Sequence, residues 1–214
     1  LYKSNVHNIL MTFTALGYLT QDDETGKFHL GVSVMTLSRA FREGLDITRV
    51  AVPFMREIAN EAGELIYLTV PKDDSVIYLE GISPDNQRMV SKSVAGEDCK
   101  MYCTAVGKAM LANMPKEEVE KCISGKLEAY TENTITDKKS LLEEIEKTRI
   151  RGYGIDDMEI MFGIKCVGVA LLNHDGKVEG GLSISAPSLR MSDEKIELYA
   201  NILKEYAAKI QKML

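Results

Sequence analysis

Ser183 and Ser185 alternate with Leu182, Ile184 and Ala186 late in the sequence. In a strand, residues two apart share one face, so both hydroxyls look the same way. Two hydroxyls are costly in a dry core and useful in a pocket that hydrogen-bonds an oxygen-rich ligand. A strand with that face in solvent is the plainer alternative. A second feature is the run Thr104-Ala105-Val106-Gly107-Lys108-Ala109. As a phosphate loop it fails: Tyr102 occupies the upstream position that needs glycine, and Ala109 replaces the hydroxyl that would hold magnesium. As a helix start it offers the backbone N–H groups of Ala105, Val106 and Gly107 to an anion, above all a carboxylate. Small residues there serve tight helix–sheet packing equally well, and the local pattern leaves both readings open.

Cysteine and histidine offer less. Cys99 and Cys103 are four apart, and with Cys166 or His174 they are the material for a zinc site. No C-x-x-C and no H-x-x-x-H pair occurs, so no metal is assigned and no cofactor is expected. The irregular cysteine spacing points to reduced thiols rather than disulfides. His7 and His29 belong to the N-terminal elements, which leaves His174 in a turn and no nucleophile–base dyad. No catalytic residue is assigned.

Lys3, Ser4, Asn5, His7 and Asn8 crowd the start of the first predicted helix, away from most of its apolar stripe. Short polar side chains there are what a recognition helix presents to base edges in a major groove. An amphipathic helix with one solvated face has the same composition. The local charge is not basic: Lys3 and Lys27 stand against Asp22, Asp23 and Glu24. Phosphate affinity must then come from elsewhere in a larger assembly.

Around these residues stands an ordinary globular composition. The sequence has 214 residues, 45% hydrophobic and 27% charged, with a formal net charge of -6. An acidic balance argues against a wholly basic nucleic-acid binder, but not against a small DNA-reading module on an acidic body. No apolar run approaches the roughly 20 residues that cross a bilayer, and the first residues lack a signal-peptide pattern. A cytoplasmic protein with no membrane partner is expected.

Helical periodicity spans residues 4–16, capped by Ser4 and stopped by Gly17. Short strands at 18–20 and 28–30 flank a polar turn and make a hairpin. Helices follow at 32–43, with Val34, Leu37 and Phe41 as its stripe, and at 46–62 with Pro53 inside. Then the period changes. Strands are predicted at 65–70, 76–82, 88–94, 153–160, 166–172 and 178–185. Helices are predicted at 103–113, 116–124, 138–151 and from Ser192 onward. The turn Asn173-His174-Asp175-Gly176 makes the last two strands an antiparallel hairpin. The sum is an α+β fold with a mainly antiparallel sheet.

Several blocks, taken in order, resemble the IclR family of bacterial transcriptional regulators. They are Ser4-Asn5-Val6-His7-Asn8-Ile9-Leu10, Leu16-Gly17-Tyr18-Leu19, Phe28-His29-Leu30-Gly31, Thr104 to Ala109, Gly152-Tyr153-Gly154-Ile155-Asp156-Asp157-Met158-Glu159 with Gly163-Ile164-Lys165-Cys166, and Leu182-Ser183-Ile184-Ser185-Ala186-Pro187. No block is specific alone; their order and spacing are. The resemblance implies part of a winged helix-turn-helix DNA-binding domain over 1–31, a linker helix over 32–45 and a GAF-like effector-binding domain over 46–214. It implies a regulator that turns nothing over. Its partners would be operator DNA, a small-molecule effector such as a small organic acid, and itself as dimer or tetramer. DNA contacts fall on Lys3, Ser4, Asn5, His7 and Asn8, and effector contacts on Ala105, Val106, Gly107, Asp156, Cys166, Ser183 and Ser185. Turn capping is the plainer role for Asp156, and buried packing for Cys166. Asp157, next door, points the other way if the segment is extended, and Met89 and Val90 are further candidate walls. Two departures stand out. The family's two helices before the recognition helix are not in this sequence, so operator binding is expected to be weak without them, and Asn8 replaces a common arginine. A sensory module without DNA, and an enzyme using the same pocket, are the rival readings. The N-terminal helix and hairpin speak against the first, and the missing acid–base pair against the second.

Overall fold

A computed structural model describes residues 2–44, 46–85 and 95–214. The strand expected at 88–94, with Met89 and Val90, lies outside the described residues. The chain divides into two compact units, Leu1–Leu45 and Asp46–Leu214.

The first unit holds α1 (Lys3–Ala15), β1 (Leu19–Gln21), β2 (Phe28–Leu30) and α2 (Ser33–Glu43). α1 starts one residue earlier than expected: Tyr2 is its extended N-cap, without a side-chain hydrogen bond, and Ser4 lies inside the helix rather than capping it. At its other end Gly17, at φ +76°, turns the chain so that the Tyr18 N–H donates to the Phe13 carbonyl at 2.9 Å. β1 and β2 pair antiparallel, with Leu19 opposite Leu30. Their turn is held by Asp22, whose Oδ1 accepts from the Thr25 N–H at 2.7 Å and the Thr25 hydroxyl at 2.8 Å. Those bonds hold the Asp22 carboxyl below the usual carboxylate range.

The second unit is built on a sheet of six described strands: β3 (Leu65–Lys72), β4 (Ser75–Ile82), β5 (Asp98–Lys100), β6 (Gly154–Asp157), β7 (Ile164–Leu172) and β8 (Val178–Pro187). They lie in the order β5-β4-β3-β8-β7-β6, and every neighbouring pair is antiparallel. The short β5 has no counterpart among the expected strands. β6 is half the expected length, because Met158 adopts a left-handed φ of +61° and ends it.

The sheet separates two layers. β8 shows why: Leu182 and Ile184 are buried on one face, and Gly180, of the same parity, faces Ile47 of α3 (Asp46–Ala62). Gly181, Ser183 and Ser185 look the other way, toward α4 (Ala105–Leu111). On the α3 side lies α7 (Asp193–Gln211), which buries Ile196, Tyr199, Leu203, Tyr206 and Ile210 beneath a Ser192 cap. On the α4 side Val106, Met110 and Leu111 share a core with Leu141 and Ile145 of α6 (Lys138–Arg151). α6 begins on the Asp137 cap and ends at left-handed Gly152, which matches the range expected for it. α5 (Lys116–Cys122) adds Val119 to the same core.

Candidate functional site

α4 packs closely against the sheet, and glycines make that possible. A Cβ on Gly154 would lie 2.0 Å from the Ala105 carbonyl oxygen, and one on Gly168 would lie 2.6 Å from the Val106 nitrogen. Gly154 and Gly168 are cross-strand partners, so the helix start presses into a bare patch shared by β6 and β7. Beside this contact opens a cavity of about 770 Å³. The register lines it in rows. Asp156, Cys166, Ser185 and Leu65 form one row across β6, β7, β8 and β3; Gly154, Gly168, Ser183 and Tyr67 form the next.

Six of the seven expected pocket residues therefore meet. Ala105, Val106, Asp156, Cys166, Ser183 and Ser185 all line the cavity. Gly107 does not. Its N–H donates to the Thr104 hydroxyl at 3.1 Å, which caps α4, so the donor expected to await a ligand is already satisfied. Its lack of a side chain serves packing, since a Cβ there would lie 2.4 Å from the Met101 backbone. Ala105 and Val106 N–H have no recorded acceptor among the described residues.

The Cys166 thiol donates to the Ser185 hydroxyl at 3.3 Å. Burial, with Asp156 beside it, pushes that thiol well above its usual range and favours its neutral form. Tyr67 and Tyr78 close the β3–β4 side as an edge-to-face pair with ring centroids 5.1 Å apart. Burial pushes the Tyr67 hydroxyl up to about 12. Asp156 is only 4% exposed. Its Oδ1 accepts from the Glu159 N–H at 2.7 Å, which folds the residues after β6 around it. Burial raises its pKa to about 6, against the stabilising effect of that N–H. Asp157 faces away and pairs with Lys165 at 2.8 Å.

Sequence reasoning missed the charges around this pocket. Directly beneath it Lys108 and Glu159 form a buried ion pair. Glu159 Oε2 has no partner among the described residues, and burial raises the Glu159 carboxyl. Threonine hydroxyls fasten the same turn, Thr134 to the Glu159 carbonyl at 2.6 Å and Thr131 to the Met158 carbonyl at 2.7 Å. At the rim Arg190 donates Nε and Nη2 to the two oxygens of Glu64 at 2.7 and 2.6 Å. Glu97 and Cys99 also line the cavity. Lys108 carried a signal: a lone charge among Ala105, Val106, Gly107, Ala109, Met110 and Leu111 demands a buried partner. The Glu64–Arg190 pair, far apart in the chain, carried none.

Of the zinc candidates, His174 sits on an exposed turn beside Asp175, and no cluster of three His, Cys, Asp or Glu suited to a metal occurs among the described residues. The four cysteines form no disulfide.

In the first unit Lys3, Ser4, Asn5, His7 and Asn8 are all exposed on the first two turns of α1. At about 100° per residue they fill one continuous arc, and Val6, Ile9, Phe13 and Leu16 fill the opposite one. No residue of α1 is buried.

The chain's relatives agree on one family. The model for the bacterial transcriptional regulator IclR C-terminal domain matches residues 40–212. The HTH-type transcriptional regulator KdgR of Escherichia coli (strain K12) is 36% identical over 210 residues, covering 97% of this chain and 79% of that protein. Among solved structures, the Thermotoga maritima IclR matches with a TM-score of 0.80 at 29% identity, covering 99% of this chain and 85% of that one. The C-terminal domain of E. coli KdgR matches with a TM-score of 0.71 at 34% identity, covering 79% of this chain and 98% of that one. With most of its length under the family model and a relative more than a third identical, this chain belongs to the IclR family of bacterial transcriptional regulators.

Proposed function

We propose that this regulator binds operator DNA through α1 and its hairpin, and that a small organic acid in the α4–sheet cavity controls that binding. The cavity carries the reading. Its 770 Å³ lies within the roughly 300–1,000 Å³ usual for small-molecule sites. Serine hydroxyls, the Ala105 and Val106 N–H groups and Tyr67 surround it with hydrogen-bonding groups. The second unit is then a GAF-like effector domain and α2 a linker. Lys3, Ser4, Asn5, His7 and Asn8 meet the major groove, as part of a winged helix-turn-helix. Leu37 and Phe41 of α2, both exposed, suit self-association as a dimer or tetramer, which matches the two-fold symmetry of palindromic operators. The effector acts by binding one arrangement of the DNA-reading heads more tightly than another.

A thermal-shift screen of keto, sugar and aromatic acids, followed by calorimetry, tests the site. Losing one hydrogen bond to a charged ligand costs about 1.5–3 kcal/mol, so Ser185→Ala weakens the best acid roughly tenfold or more. Cys166→Ser has a milder effect. The same acid alters the mobility of the protein–operator complex. Unchanged affinity in Ser185→Ala removes Ser185 from the site; an operator complex indifferent to every bound acid removes the control.

A further inference from the structure

Ser183 and Ser185 stand on one face of β8, but their hydroxyls are not in the same state. The Ser185 hydroxyl accepts from the Cys166 thiol at 3.3 Å. The Ser183 hydroxyl has no hydrogen-bond partner among the described residues, although Ser183 is only 4% exposed and lines the cavity. A buried hydroxyl without a partner is rare, because it forfeits the bonds that water gave it. Its cross-strand neighbour on β3 is Tyr67. That phenol also lines the cavity and also has no hydrogen-bond partner among the described residues. Burial first, then Cys166 and Glu97, raises it to about 12. Cys166 and Glu97 line the cavity too, so the hydroxyl end of Tyr67 is turned toward it, and not the ring alone. Tyr78 holds that ring edge-to-face. Directly opposite residues of an antiparallel pair have Cβ atoms about 4.5–5.5 Å apart, so a ligand lying on this row meets both hydroxyls. The row's members on β6 and β7 are Gly154 and Gly168, pressed beneath α4. Hydrogen bonding from the row therefore falls to Tyr67 and Ser183.

We propose that Tyr67 and Ser183 form a second oxygen-binding subsite, which takes a hydroxyl or carbonyl of the organic acid away from its carboxylate. This rests on the organic-acid reading above, in which Ser185 meets the carboxylate, and it narrows the ligand to an acid with a distal oxygen. A hydroxyl both donates and accepts, so two of them suit a neutral ligand oxygen. Ser183 and Ser185 lie two residues apart on one face, which separates the two subsites by roughly 7 Å. An acid of two or three carbons is too short for that span, and a chain of five or six carbons or a substituted ring covers it. Tyr67 then sets specificity: it separates acids by what they carry at the far end.

The test is calorimetry of matched acids on the full chain, gluconate against hexanoate and 4-hydroxybenzoate against benzoate. Wild type is expected to bind the hydroxylated member of at least one pair about tenfold more tightly, the effect of one or two neutral hydrogen bonds. Tyr67→Phe removes one oxygen and keeps the ring against Tyr78. The phenol holds no other group of the protein, so urea unfolding of this variant stays at the wild-type value. Its preference for the hydroxylated acid falls to about threefold or less, while the plain acid binds as before. Ser183→Ala acts in the same way and supplies the comparison if Tyr67→Phe does not fold. The subsite is overturned, and the organic-acid site left standing, by no preference within either pair in wild type or by a preference that survives in Tyr67→Phe. Equal losses on both members of a pair also overturn it, since they place Tyr67 at the carboxylate. Binding of none of the four acids removes the organic-acid reading itself.

Discussion

One ion pair stands behind the Asp156 wall of the cavity, forming its floor layer, and another at its rim, and the two are built differently. At the floor Lys108 and Glu159 are 1% and 5% exposed, with α4 on one side and the turn after β6 on the other. At the rim Glu64 is 6% exposed but Arg190 keeps 54% of its side chain accessible. A half-wet pair recovers hydration when it breaks; a dry one does not. The floor is therefore a fixed joint between the helix start and the Asp156 turn. The rim is a latch whose arginine still reaches water.

Cutting the floor pair has the largest effect. Lys108→Ala strands Glu159 in a dry site, and removing one partner of a buried pair costs about 3–5 kcal/mol. Urea unfolding reads this directly. Lys108→Met combined with Glu159→Gln recovers much of the loss, because neither residue then carries a buried charge. If Lys108→Ala costs no more than the corresponding cut at the rim, the distinction between joint and latch fails.

Next comes Asp156, with the opposite sign. Its carboxyl titrates at about 6 in the fold against 3.8 in the unfolded reference. The folded state holds a proton that the unfolded state has lost, so stability falls as pH rises from about 4 through 6 and stays reduced above. Two pKa units correspond to about 3 kcal/mol. Asp156→Asn removes this penalty, so the variant is more stable than wild type at pH 8 by up to about that amount. At pH 4 the advantage disappears. Thermal unfolding across pH 4–8 checks it; a wild type that grows steadily more stable up to pH 8 relative to Asp156→Asn would contradict it.

The rim gives less. Arg190→Ala leaves Glu64 without its two charge-assisted hydrogen bonds, yet the cavity mouth lets water replace them. A loss of about 1–2 kcal/mol is expected after allowing for that exposure. High salt reduces the difference between wild type and variant at the rim and hardly touches it at the floor.

These contrasts also mark what was legible in the sequence. Local signals read well: the bounds of α6, the start of α7 at Ser192, and the turn joining β7 to β8. The alternation at Ser183 and Ser185 put two hydroxyls on one face, and that face lines the cavity. What stayed hidden depends on register between distant strands. Lys108 meets Glu159 only because Gly154 and Gly168 let α4 touch the sheet beside β6. Glu64 meets Arg190 only because β3 and β8 pair with Leu65 opposite Ser185. Gly107 does not line the cavity, and its N–H is taken by the Thr104 hydroxyl that caps α4, a pairing the residue types alone do not announce. β6 was drawn too long because residue types alone do not announce a left-handed Met158.

The smallest effect tests whether position on the strand, rather than carboxylate chemistry as such, separates the two neighbouring aspartates. Asp156 and Asp157 are adjacent, so in β6 they point to opposite faces. Asp156 reaches the cavity; the Asp157 side chain is 57% exposed and meets Lys165 on the other side. An exposed ion pair is worth about 0–1 kcal/mol. Asp157→Asn should therefore shift stability by less than about 1 kcal/mol and leave acid affinity at its wild-type value. Paired measurements on Asp156→Asn and Asp157→Asn hold sequence neighbourhood and chemistry constant while reversing the face. Equal effects of the two changes on acid binding would mean that β6 does not present Asp156 to the cavity in the alternation described, and the floor would have to be redrawn around Glu159 alone.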